Sequence, residues 1–138
     1  MRTPVVLIAG LLAAALAWPA QAAPLLRCTL ERAGQTYVVQ ASPVANPYTV
    51  APVALGESFR FKAVMVGSAS QIHYIKLYTY THQAGQFVVQ HQASYIAPVP
   101  AAAAGPYALT GEQRIYAPTL GRELIYGCAL LDGPEVQP

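Results

Sequence analysis

Three histidines, His73, His82 and His91, recur every nine residues and are the first candidates for chemistry, because neutral imidazoles are common ligands for zinc and copper. Metal ligands must converge, so the test is strand register. The runs Ile72 to His82 and Gln86 to Ile96 read as strands joined by a three-residue loop, Gln83-Ala84-Gly85. Pairing His82 with Gln86 sets His73 opposite Tyr95 and His91 opposite Leu77. His73 and His91 then share a face but stand about 13 Å apart along the strands, and His82 points the other way. No metal site is expected.

The other catalytic patterns are also missing. Paired carboxylates would need two acids a few ångströms apart, but the six acids are scattered and the only aspartate is Asp132. Ser68 follows Gly67 without the second glycine of a nucleophile elbow and reads as turn chemistry. Neither Cys28 nor Cys128 sits in a Cys-x-x-Cys pattern or beside a histidine that would lower its pKa. No phosphate-cradling glycine loop or dinucleotide fingerprint occurs. The expectation is a protein that is not an enzyme and needs no cofactor.

The tyrosines carry a different chemistry. On the same register Tyr74, Tyr78 and Tyr80 lie on one strand face with Lys76 and His82, opposite Val88, Gln90, Gln92 and Ser94. Ile75, Leu77, Phe87, Val89, Ala93 and Tyr95 form the core side. A tyrosine offers a rigid apolar body with a hydrogen-bonding tip, a combination suited to protein contact. Tyr74, Tyr78, Tyr80, His82 and Gln90 are therefore the candidate interaction surface. The competing explanation is ordinary cross-strand packing or cover by the Pro-rich segment. Sugar platforms usually favour tryptophan, and the only one, Trp18, falls in the leader.

That leader decides where the chain works. Arg2, an apolar run from Val5 to Ala17, the Trp18-Pro19 break and Ala20-Gln21-Ala22 follow the order of a secretory signal, with cleavage expected after Ala22. The run is shorter than the roughly 20 apolar residues of a membrane span, so no membrane span is expected in the mature chain. Acylation of Cys28 is disfavoured by Arg27, because lipoprotein signals have a small residue before the cysteine. A periplasmic or secreted location follows. In an oxidising compartment Cys28 and Cys128 are expected to form a disulfide. Closing such a loop is worth about 4.7 kcal/mol in the chain-entropy account.

Removing 22 of the 138 residues leaves 116, enough for one domain with a real core. Seven basic and six acidic residues nearly cancel, with no basic run, so nucleic acid is not an expected partner. Leu26 to Arg32 and Thr36 to Ser42 flank a loop at Ala33-Gly34-Gln35. Glu57 to Val66 alternates, with Phe59, Phe61, Ala63 and Met65 on one face and Ser58, Arg60 and Lys62 on the other. Residues 98–111, rich in Pro, Ala and Gly, read as a solvated connection. Glu112 to Tyr116 and Glu123 to Leu131 are the last strands, and 134–138 are a loose tail.

Six or seven short strands and no helical period imply an all-β fold: a small disulfide-tied β-sandwich in which the bond ties one sheet to the other. Tyr126-Gly127-Cys128 resembles the Tyr-x-Cys of an immunoglobulin strand, which implies an immunoglobulin-like architecture with a tyrosine-corner hydrogen bond. The resemblance covers three residues, the cysteines stand much farther apart than in that family, and no function is carried over. The expected role is a protein-interaction or accessory module of the cell envelope, its partner another envelope protein. The alternative is a periplasmic protein binding a small ligand, a glycan or a metal.

Overall fold

The alternation that runs through the chain resolves into eight strands in a computed structural model that describes residues 22–101, 104–118 and 120–133. The expected leader, but for Ala22, and the 134–138 tail lie outside the described residues. The strands are β1 (Pro24–Arg32), β2 (Gln35–Ala41), β3 (Val53–Leu55), β4 (Phe59–Gly67), β5 (Ile72–Gln83), β6 (Gln86–Ile96), β7 (Gln113–Ala117) and β8 (Arg122–Asp132). One strand more than expected is present. β3 is three residues long, too short for a period, and exists because its backbone pairs with Phe59–Phe61 of β4.

Two four-stranded antiparallel sheets, ordered β2-β1-β8-β7 and β3-β4-β5-β6, face each other as a small β-sandwich. Apart from β8 against β1, all pairings join strands consecutive in sequence, so the strands follow one another round the molecule in chain order. Period-2 alternation supplies the core. Leu26, Cys28 and Leu30 of β1 and Leu124, Tyr126, Cys128 and Leu130 of β8 are buried against Phe59, Phe61, Met65, Ile75 and Leu77 of the other sheet.

Cys28 and Cys128 are bonded, as expected, but they do not tie one sheet to the other. They are direct cross-strand partners on β1 and β8 of the same sheet, with Cα atoms 4.0 Å apart. The spacing is that of a close antiparallel pair. The sheets are held together instead by side-chain burial and by the crossing after β2, where Val44 N–H donates to the Met65 carbonyl at 2.9 Å and Gly67 N–H to the Val44 carbonyl at 3.1 Å.

Both tight hairpins also differ from expectation. Arg32 pairs with Gln35 and Gln83 with Gln86, so the loops are the two-residue Ala33-Gly34 and Ala84-Gly85. All four residues have positive φ, 50° and 76° in the first and 48° and 82° in the second. That is the primed turn whose twist matches the flanking strands. The glycine takes the second position at no steric cost, which selects this geometry over a longer loop.

Of the expected connection over residues 98–111, the described residues include three, Ala101, Leu109 and Thr110, that bond to β8. β7 reaches only Tyr126 of β8, leaving the next backbone groups of that strand without a ladder. The described part of the segment supplies it. Leu109 N–H donates to the Cys128 carbonyl at 2.9 Å, Cys128 N–H to Thr110 Oγ1 at 2.9 Å, Ala101 N–H to the Leu130 carbonyl at 3.1 Å and Asp132 N–H to the Ala101 carbonyl at 3.0 Å. Buried backbone polar groups need partners, and here an irregular segment provides them.

Candidate functional site

Along β5 the odd residues Ile75, Leu77, Thr79 and Thr81 are buried while Tyr74, Lys76, Tyr78, Tyr80 and His82 are half-buried on the opposite face. The tyrosine stripe therefore stands outside the core, in the middle of a three-strand surface formed by β4, β5 and β6. Register turns this surface into rows. Val66, Tyr74 and Ile96 form one, followed by Val64, Lys76 and Ser94, then Lys62, Tyr78 and Gln92, then Arg60, Tyr80 and Val89. His82 and Phe87 close the series.

The neighbours are aromatic and cationic. The Tyr78 and Tyr80 rings are near-parallel at 6.4 Å, and His82 meets the Phe87 ring edge-on at 5.2 Å. Arg60 reaches across β5 to lie 3.9 Å over the Phe87 ring, Lys62 Nζ is 6.0 Å from the Tyr78 centroid, and Lys76 Nζ is 5.2 Å from that of Tyr74. Cations over ring faces are attracted by the ring quadrupole. Burial, and then the adjacent Tyr78 phenol, push the Tyr80 pKa above the ordinary tyrosine value, so this hydroxyl remains a neutral donor.

At one end the surface is partly roofed. Asn46 caps a single 3-10 turn over Pro47–Thr49, its Oδ1 accepting from Tyr48 N–H at 3.0 Å. Pro47 and Tyr48 overhang Val64, Tyr74 and Lys76, enclosing a shallow cavity of about 130 Å³. Val64 is only 2 % exposed although it lies on the outer side of its sheet, whereas Tyr48 itself is 91 % exposed. An overhanging exposed tyrosine extends the surface.

Two expectations about β6 change. A register shift between Thr79 and Tyr80 leaves Gln90 as the extra residue of a bulge, with Tyr80 opposite Val89 and Thr79 opposite His91. Before the bulge the faces are reversed, so Phe87 and Val89, expected in the core, stand on the tyrosine face, Val89 exposed. Beyond it the expected faces hold, and Ala93 and Tyr95 pack against the core. Gln90, expected beside Tyr78, instead receives the Gln83 amide at 3.1 Å and the Thr81 hydroxyl at 3.5 Å on its Oε1.

The histidines occupy three environments. His82 meets Phe87 edge-on, His73 is exposed, and His91 opposes Thr79 rather than Leu77 and reaches the core, where its Nδ1 shares a hydrogen bond of 3.4 Å with the Tyr126 phenol. Among the described residues no group of three His, Cys, Asp or Glu converges on a common point. Tyr126 is fully buried, 5.1 Å from the Phe61 ring. Burial, with a smaller contribution from Tyr95, raises its pKa far above the ordinary value. Ser68 sits in a turn closed by its own N–H on the Gln71 carbonyl at 2.8 Å, its hydroxyl 3.1 Å from that of Ser70.

A cleft larger than the one beneath Pro47 and Tyr48, about 560 Å³, lies elsewhere between the β1–β2 and β7–β8 turns, walled by Glu31, Arg32, Arg122, Glu123 and Ile125. It presents both signs of charge. Arg122 donates to the buried Ser58 hydroxyl at 3.1 Å, and the Arg32 guanidinium lies against Gly56, where an added Cβ would fall 2.8 Å from Arg32 Cζ.

Reasoning from sequence missed Arg60, Lys62, Phe87, Val89 and Tyr48 as members of the tyrosine surface. Alternation had already turned Arg60 and Lys62 outward on β4; what was missing was that β4 lies beside β5. One signal was available: no Asp or Glu occurs between Glu57 and Glu112, so the strands β4 to β6 are free of acid.

The fold and surface define a small disulfide-bonded β-sandwich with an aromatic, cationic sheet face. No family model, curated protein or solved structure matches the chain.

Proposed function

We propose that the chain is an exported, non-catalytic module of the cell envelope, working in the periplasm or outside the cell, whose task is to bind another envelope protein through the outer face of β4, β5 and β6. The single observation that carries this reading is the row of half-buried tyrosines Tyr74, Tyr78 and Tyr80 on a sheet face that is not covered by the second sheet. Tyrosine is enriched where proteins meet because it supplies large contact area at low entropic cost. The disulfide is compatible with an oxidising compartment. Among the described residues no helix is long and apolar enough to cross a membrane.

The cleft between the two turns favours a second reading, a protein binding a small ligand, since its volume is in the range of ligand sites. Crosslinking in the living cell with a tagged copy separates the two. The first reading expects a reproducible protein partner with crosslinks mapping to Ile72–Ile96, and loss of capture in Tyr78→Ala with little change in thermal unfolding. Capture that is indifferent to Tyr78→Ala, or a loss of stability equal to the loss of capture, removes it.

A further inference from the structure

The acids of the chain are kept off β4, β5 and β6, whereas its cations are spread over both sheets, with Arg27 and Arg32 on β1, Arg114 on β7 and Arg122 on β8. Arg60, Lys62 and Lys76 all stand on the tyrosine face, and no Asp or Glu occurs on β4, β5 or β6. The described acids Glu31, Glu57, Glu112, Glu123 and Asp132 lie on the other sheet or in turns. Glu112 and Glu123 are engaged there by Arg114 at 2.7 and 3.2 Å. Among the described residues no carboxylate pairs with the three cations of the tyrosine face; each lies against an aromatic ring, and a ring face attracts a cation without neutralising it.

Their spacing is regular. Arg60 and Lys62 are two residues apart on β4, about 7 Å along the strand. Lys62 opposes Tyr78 and Val64 opposes Lys76, which makes Lys62 and Lys76 diagonal neighbours at about 7–8 Å. An extended peptide places alternate side chains at the same interval. Tyr78 and Tyr80 stand beside and between these charges, with hydroxyls able to donate to a carboxylate.

From this exclusion of acids and this spacing we infer that the partner docks an extended acidic segment, with carboxylates at alternate positions, onto Arg60, Lys62 and Lys76. The inference rests on the protein-binding reading above and names the chemistry of the partner. A long polyanion such as a nucleic acid gains affinity by neutralising many charges. This face offers three, bounded at one end by the uncharged row Val66, Tyr74 and Ile96 and at the other by the turn carrying Glu57. Two or three carboxylates match it.

The test uses the folded, oxidised protein and fluorescence anisotropy with a labelled decapeptide of alternating Glu and Thr, against one of alternating Lys and Thr, an oligothymidylate and vesicles of anionic lipid. The acidic peptide is expected to bind best, to weaken at high salt as screening shortens the reach of the charges, and to lose about tenfold or more in affinity in Lys62→Glu/Lys76→Glu. Should that variant unfold, Lys62→Gln/Lys76→Gln, with an unchanged thermal transition, is expected to show a loss in the same direction. Equal binding of the acidic and basic peptides overturns the inference, as does tighter binding of the oligonucleotide or the vesicles than of the acidic peptide. Crosslinked capture in cells separates the two levels. Capture lost in Tyr78→Ala but kept in both lysine variants overturns the acidic segment and leaves protein binding standing, while capture indifferent to all of them overturns both.

Discussion

Cys28 and Cys128 are Cα partners on β1 and β8, the strand pair that joins the beginning of the described fold to its end. The bond spans a sequence separation of 100 residues, so its chief effect is on the unfolded chain. Replacing both cysteines by alanine is expected to cost up to about 4.7 kcal/mol and to keep the fold, because the β1–β8 ladder and the buried Leu26, Leu30, Leu124 and Leu130 remain. A urea titration of the oxidised and substituted proteins reads this as a lower midpoint with native-like circular dichroism before the transition.

Gly127 lies directly under the Tyr107 ring, and an added Cβ there would collide with ring carbons. Gly127→Ala is expected to destabilise by about 1–3 kcal/mol, the usual cost of overpacking. Pairing it with Tyr107→Ala should recover part of that loss, since neighbours in contact are not additive. Additive losses in a four-protein denaturation cycle would mean that the ring does not rest there.

The outer face and the core should respond differently to the same truncation. Phe61, fully buried against Tyr126, is expected to cost about 3–5 kcal/mol on substitution by alanine. Tyr78→Ala, which removes a half-buried ring stacked on Tyr80, should cost about 1 kcal/mol or less. Chemical denaturation of the two variants side by side checks the ordering.

Tyr126 makes alkaline stability measurable. Burial raises its folded pKa above the unfolded tyrosine value of 10.0, so the native state holds its proton where the unfolded chain has released it. Its contribution is fully present below that value and is lost as pH rises from about 10 towards the folded pKa. Tyr80 and Tyr95 shift in the same direction, so the comparison must be with Tyr126→Phe. At neutral pH this variant should lose about 1 kcal/mol with the hydrogen bond to His91. Above pH 10 the wild type should lose stability with the steeper slope, which denaturation midpoints at stepped pH would show.

Local chemistry was enough for much of the architecture. Alternation in Phe59–Met65 and Ile72–Thr81 marks strands with one wet face, because successive side chains of an extended chain point to opposite sides. The Ala-Gly pairs mark the hairpins, and two cysteines behind an expected export signal mark the disulfide. The tyrosine stripe on β5 was readable for the same reason, since the face of a residue on an uninterrupted strand depends only on parity.

What depended on partners was not readable. A bulge at Gln90 moves Phe87 and Val89 to the other face, and nothing in Gln86–Ile96 alone announces it, because the extra residue is defined only by the strand opposite. The same holds for β3, for the docking of Ala101, Leu109 and Thr110 on β8, and for the disulfide lying within one sheet. Composition and period determined that the chain is all-β, with a tyrosine face and a long covalent loop. Tertiary structure decided which strand lies beside β5, and so brought Arg60, Lys62, Lys76 and the tyrosines onto one surface, since pairing is set by non-local burial and hydrogen bonding that no single segment contains.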